Sequence, residues 1–367
     1  MLTGSFWHQK SKNVKGQYIP RKGSFSVPLF NFSIFNRSRE DPREYFKLLP
    51  ANDYEYDARA ALNLFYLMAG VNKKASLLGP PPFRFLAHVA RGRVALYFGC
   101  PPEYVGVVRG AFAGAYPRVS LAPASSPAAG WTGGALTEFY AAGGKFLPFR
   151  RLQGPPSVLV AVLTALGAGR DAPVEALLDV CFAPLPEGKM REQAEAEARR
   201  YVGVQSSDVW GEIKDALLSP AAGPANRGRA ADARRIQNEV RALNPSRAMA
   251  ADEMRSRFLP PERVYEATVR MAARGGPKGA AEKFVADAAS AVAAMSYLNR
   301  MERSGRHGHG DRVALGGFGE KAVMTGSELA NLVVVPGPDS PLWAALERDV
   351  ARTAAPPGML LGDDQDF

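Results

Sequence analysis

The sequence predicts an α+β protein made of two small mixed α/β units, the second carrying a helical insertion. Three observations predict it. Two strand-length apolar runs, 83–89 and 94–98, flank an Arg91-Gly92 turn. Helix-period segments stand on either side of that hairpin, at 57–68 and 103–115. A similar order of elements then returns after residue 146, broken by a long Ala-, Arg- and Glu-rich stretch. With 367 residues and 46% hydrophobic content, the chain has material for two domains or subdomains.

Taken in order, residues 1–24 are Lys-, Gly- and Ser-rich without periodicity and read as a flexible basic arm. The first unit, 25–122, opens with Phe30, Phe32 and Ile34 alternating as an edge strand would. Asp57 caps a helix whose apolar stripe is Leu62, Phe65 and Tyr66 and which Gly70 ends. The hairpin, a helix over 103–115 and a strand from Val119 complete the unit. Residues 123–145 are Pro, Gly, Ala and Ser in the main and read as a linker. The second unit, 146–335, has a helix at 157–166, strands at 174–182 and 264–271, and a covering helix over 277–298. Its insertion, 189–257, reads as helices at 190–202, 207–218 and 229–243. Large apolar residues are few there, so the arm either projects or packs along one thin stripe. From 336 to 367 the chain is Pro-rich and reads as an exit segment towards a further domain.

Composition excludes several classes. The apolar run from Pro155 is closed by Gly167 and Arg170, short of the roughly 20 residues of a membrane span. The first residues lack the apolar core of an export signal. Cys100 and Cys181 make no disulfide framework, which fits a reducing, cytoplasmic location. The formal charge is +10, and residues 1–47 hold nine Lys/Arg against three acids. That segment suits DNA or acidic lipid, with Lys10, Lys12, Lys15, Arg21 and Lys22 as contacts; the plainer reading is a solvated tail. Arg199, Arg200, Arg227, Arg229, Arg234, Arg235, Arg241 and Arg247 form a second basic cluster. Interleaved acids make it a solvent-exposed helical face first, and a phosphate-binding one, through Arg234 and Arg235, second.

No set of residues for catalysis or cofactor binding emerges. A P-loop needs Gly-x-x-x-x-Gly-Lys-Ser/Thr, and neither Gly144-Lys145 nor Gly188-Lys189 meets that spacing. Gly316-Gly317-Phe318-Gly319-Glu320-Lys321 reads as a mobile turn. His307, His309 and Asp311 lie in a Gly/Arg-rich loop that lacks the support a metal needs, and read as solvated. Asp53, Glu55 and Asp57 are explained by the helix dipole. Neither cysteine has a sequence neighbour that would activate it. The expectation is therefore a protein that is not an enzyme and has no cofactor or metal.

Four segments in order carry a resemblance. They are Tyr45-Phe46-Lys47-Leu48-Leu49-Pro50 with Leu62-Asn63-Leu64-Phe65; Arg93 to Pro101 with Ala115-Tyr116-Pro117-Arg118-Val119; 174–184; and Glu328-Leu329-Ala330-Asn331-Leu332 leading to Pro336 and Pro357-Gly358-Met359-Leu360-Leu361-Gly362. This order resembles the region ahead of the motor in conjugative DNA-transfer ATPases, relatives of type IV secretion coupling proteins and of the HerA/FtsK motors. Val333-Val334-Val335 departs from it, standing where an aromatic or histidine-bearing stretch is expected. The resemblance implies a RecA-like motor as partner, in cis or in trans, which this sequence does not contain. It also implies DNA or an inner-membrane channel protein as further partners, an oligomeric assembly with the motor, and a place in the cytoplasm or at the inner face of the membrane. The chain then reads as a fragment, a split gene or a decayed copy. A stand-alone DNA-binding accessory protein of a mobile element is the alternative reading.

Overall fold

The computed structural model describes residues 41–70, 83–155, 157–202, 245–304, 308–309, 313–314, 316–317 and 319–349. The first strands and helices follow the order β1 (Glu44–Pro50), α1 (Ala58–Ala69), β2 (Phe83–Ala90), β3 (Arg93–Cys100), α2 (Val105–Ala115) and β4 (Val119–Ala124). After these come β5 (Ala135–Ala141), α3 (Ser157–Ala165), β6 (Val174–Pro184), α4 (Glu187–Tyr201), α5 (Pro245–Ser256), β7 (Val264–Gly275), α6 (Ala280–Val292) and β8 (Met301–Arg303). Short elements β9 (Gly308–His309), β10 (Ala322–Thr325) and α7 (Gly326–Leu329) complete the set.

All the strands lie in one antiparallel sheet of order β4-β1-β3-β2-β6-β7-β5-β8, with β10 against β7 and β9 against β5. The order reads the same from either end. β1-α1-β2-β3-α2-β4 and β5-α3-β6-β7-α6-β8 are two copies of the split βαβ arrangement, each with its strands in the order 4-1-3-2. They join edge to edge through β2 and β6, paired from Phe83↔Phe182 to Ala90↔Glu175. A pseudo-two-fold axis thus passes between β2 and β6. α4 and α5 belong to the insertion that separates β6 from β7, where the first repeat has only Arg91-Gly92.

Local chemistry explains the elements. Asp57 caps α1 through a 2.8 Å bond accepted from the Arg59 amide. Arg91 and Gly92, with φ of 47° and 72°, form the two-residue turn that matches strand twist. Gly92 also lies against Arg170, whose carbonyl oxygen would be 2.6 Å from an added Cβ. Pro123 sits in the edge strand β4, where a missing amide is tolerated. α4 meets α5 along Ala198, Ala250 and Ala251, with Met254 the one large side chain among these four, as a thin stripe would.

One apolar core runs under both repeats, and Phe182 at the seam touches Phe65, Phe83, Phe98 and Tyr265 with ring centroids 5.6–6.1 Å apart. Two boundaries are therefore corrected. The linker expected over 123–145 contains β5, which pairs with β7, β8 and β9. The two expected units share one sheet and one core, and the chain from Glu40 onward is one compact unit. Leu136 and Phe139 supply the buried side chains that the small residues around them concealed.

The exit segment is also corrected as far as Asp349. Leu342 and Leu346 are at most 2% exposed. Burying each contributes on the order of 1.5–3 kcal/mol, which holds the segment on the core. It then runs to the first repeat: the Val94 amide donates to Ala345, the Glu347 amide to Val94 and the Asp349 amide to Pro50, at 2.9, 2.8 and 3.0 Å. The edge strand at Phe30–Ile34, the helices at 207–218 and 229–243, and residues 350–367 lie outside the described residues.

Candidate functional site

Strand alternation sends Glu138, Arg270, Asp179 and Arg84 to the face of the sheet away from the main core. Register aligns Glu138 with Arg270 and Arg270 with Asp179, and sets Arg84 opposite Cys181, beside Asp179. Arg84 spans the seam with two arms, Nε to Asp179 Oδ1 at 2.9 Å and Nη2 to Oδ2 at 3.1 Å. Arg270 reaches the same carboxylate at 3.1 Å and Glu138 at 3.9 Å. Asp41 extends the row, bonding Arg84 at 2.8 Å and Arg43 at 2.7 Å and accepting the Tyr45 hydroxyl. The six charged side chains are at most 8% exposed, and three guanidiniums balance three carboxylates.

Glycines shape this cluster. Gly99 leaves the space that the Tyr45 ring occupies, since an added Cβ would stand 2.5 Å from it. The Gly316-Gly317 segment closes over the top, its carbonyls accepting from Arg43 at 3.1 Å and Arg270 at 2.7 Å. In its described residues the expected turn lies over the cluster through those two bonds.

The electrostatics follow from burial and pairing. Burial alone would raise the Asp179 carboxyl, but Arg270 and Arg84 outweigh it and hold it at about 2. Burial would likewise weaken the charge on Arg84, and Asp179 reverses that, raising its pKa. Tyr45 is pushed up to about 12, by burial first and by Asp41 against the opposing pull of Arg84. Cys181, with Sγ 3.4 Å from Asp179 and 3.2 Å from Arg270, is raised by burial and then by Asp179, so it stays a thiol. The shifts of Asp179, Arg84, Tyr45 and Cys181 hold each in its ordinary neutral-pH form, and the cluster joins the two repeats.

A second pair crosses the same join. Register sets His88 opposite Leu177, beside Glu175, as it sets Arg84 opposite Cys181, beside Asp179. His88 Nε2 is 2.7 Å from Glu175, which also binds Arg274 at 2.7 Å, and Arg274 lies over the Trp131 ring at 4.3 Å. Burial acts to raise the Glu175 carboxyl, yet its hydrogen bonds from Arg274 and His88 prevail and lower it.

On the opposite, helix-covered side, Thr325 and Glu328 form a reciprocal capping box at α7. Fully buried Glu328 receives Arg257 at 2.9 and 2.6 Å and the Phe149 amide at 2.9 Å. Asn331 donates to Arg150 at 2.6 Å, while its carbonyl accepts the Leu159 amide at 3.1 Å. Beside this joint a cleft of about 270 Å³ opens between Leu62, Phe65 and Tyr66 of α1 and Pro261, Arg263 and Ser327.

Lys10, Lys12, Lys15, Arg21, Lys22, Arg234 and Arg235 lie outside the described residues, as do His307 and Asp311. Asp57 serves as the α1 cap, and Asp53 pairs with Arg118 at 3.3 Å. The sequence reading missed the buried charges. The available signal was a charge in the middle of an apolar run in each of three strands, Arg84 between Phe83 and Phe85, Asp179 between Leu178 and Val180, and Arg270 between Val269 and Met271. Among the described residues, no group of three or more His, Cys, Asp or Glu side chains is placed to hold a metal ion, and no helix is long and apolar enough to cross a membrane. No family model matches this chain, and no curated protein is similar to it.

Proposed function

We propose that this chain is the non-catalytic, pre-motor region of a conjugation-type DNA-translocating ATPase. Its role is to dock a RecA-like motor, in cis or in trans, to a membrane channel or to neighbouring subunits. The single observation that carries this reading is the construction of the Thr325–Leu332 joint, which includes Glu328–Leu332 of the fourth segment in the resemblance. It is built for rigidity: a capping box, a fully buried Glu328–Arg257 pair and Asn331 bonds to the approach of α3. It also packs on α1 of the other repeat, where Gly326 lies close to Phe65 and the Tyr265 hydroxyl donates to the Phe65 carbonyl. Such a joint suits a part that must hold its shape while a neighbour moves. The paired charges under Gly316-Gly317 serve the same end.

The test is nucleotide turnover, measured on the purified chain alone and after mixing with a P-loop motor from the same genetic element. The chain alone is expected to hydrolyse no ATP, and to form a complex that changes the motor's rate. Turnover by the chain alone, abolished by one substitution, would reject the reading, as would failure to bind the motor.

A further inference from the structure

One end of the sheet carries cations that the fold leaves unmatched. Three turns meet there: Arg91-Gly92 between β2 and β3, the segment 167–173 before β6, and the segment 276–279 before α6. The Gly169 amide donates to the Gly92 carbonyl at 2.8 Å, and Gly92 lies against the Arg170 backbone, so the first two turns form one rigid piece. Arg91, Arg93, Arg170 and Lys278 are exposed, and none forms an ion pair with a described residue. The neighbouring carboxylates are committed elsewhere, Glu175 to His88 and Arg274, and Glu347 to Lys47. Asp171 and Glu282 are the other acids at this end, so the cations outnumber them two to one. Further along the same strands, Arg84 and Arg270 are matched by buried carboxylates.

Arg91 adds an independent sign. It occupies a left-handed backbone position, φ 47°, that Asn, Asp or Gly fills at lower cost. No contact of its side chain within the described residues accounts for that choice. Strain kept at an exposed guanidinium is the kind of outlier from which a binding role is argued.

The geometry points to a phosphodiester-binding surface on Arg91, Arg93, Arg170 and Lys278, whose partner is the backbone of DNA, read without sequence choice. Guanidiniums on rigid turns suit phosphate oxygens, which accept two parallel bonds. Among the described residues, none of the exposed large apolar side chains lies in these turns, so the surface lacks the insertion that anchors a protein in lipid. This surface is separate from the amino-terminal basic arm, and it stands on the charges alone, whatever the chain docks to.

Fluorescence anisotropy with labelled oligo(dT) and the full chain, over roughly 50 to 200 mM salt, tests it. Replacing Arg91, Arg93 and Arg170 together by Gln is expected to weaken binding at least tenfold at low salt. The slope of log affinity against log salt should flatten by about 2, since each single-strand phosphate contact contributes about 0.7. Lys278→Gln, in a different turn, should flatten it by about 0.7, so the result does not hang on one hairpin's folding. Replacing the three arginines by lysine should keep most of the slope. Unchanged slope and affinity in both Gln variants would overturn the surface. So would a loss confined to sedimentation with phosphatidylserine vesicles while oligo(dT) binding persists, which would make lipid the partner.

Discussion

Arg84 on β2 and Asp179 on β6 form a two-armed ion pair across the junction of the repeats, with both side chains at most 1% exposed. Removing one partner strands the other charge in the interior, which costs on the order of 3–5 kcal/mol. Arg84→Met should therefore lower unfolding free energy by about that amount in urea titration, because Asp179 keeps only Arg270. A loss under about 1 kcal/mol would show that solvent reaches the cluster.

The same pair sets an acid response. The Asp179 carboxyl is depressed in the fold, so its stabilisation is complete above its ordinary value of 3.8 and is lost as pH falls towards about 2. Unfolding free energy measured from pH 5 downward should fall across that window. In Asp179→Asn the part of the slope due to this group should vanish, from a lower starting stability.

Glu328→Gln tests the joint on the helix side. The substitution keeps the shape but removes the charge that matches buried Arg257, and about 3 kcal/mol of stability should go with it. Hydrogen exchange should then speed up in α7 and in the Leu332–Val335 segment, which the joint anchors. Protection unchanged in those amides would mean that apolar burial alone holds the segment.

Gly99→Ala places a methyl 2.5 Å from the Tyr45 ring. The ring must shift away from Arg84 and Asp41, and overpacking of this kind costs about 1–3 kcal/mol. Tyr45→Ala in the same background opens the space, so the two substitutions together should cost less than the sum of each alone.

Arg91→Asn is expected to act in the opposite sense. Asn accepts the left-handed position more readily, and the substitution should add about 0.5–1 kcal/mol in a denaturant titration. A variant no more stable than the parent would show that the hairpin carries no strain at this residue.

Much of the architecture was legible because local signals agreed with one another. Asp57 and Gly70 bracket α1, Arg91-Gly92 marks the hairpin, and the apolar run at 174–182 is too short for anything but a buried strand or a short helix. β5 was missed because Pro, Gly and Ala around it mimic a linker, and because its pairing partner β7 follows only after the α4–α5 insertion. The continuous sheet was missed for a related reason: an edge-to-edge join leaves no mark on hydrophobic periodicity. The charge cluster was readable only as an anomaly, since no spacing rule connects Asp41, Arg84, Asp179 and Arg270. Strand register brings Arg84, Asp179 and Arg270 together, and Asp41 joins them from just before β1 through its bonds to Arg84 and Tyr45.

The palindromic strand order has a consequence for partner choice. A lone βαββαβ half would leave eight residues of β2 with bare backbone donors and acceptors, and a second copy turned by half a revolution is the simplest cover for them. In such a homodimer, Arg84 would face its own kind's counterpart of Asp179 only if one strand carried both charges. Here the two sides differ, arginine and histidine on one side of the join and aspartate and glutamate on the other. Each half therefore suits the other better than a copy of itself, which would set like charges together.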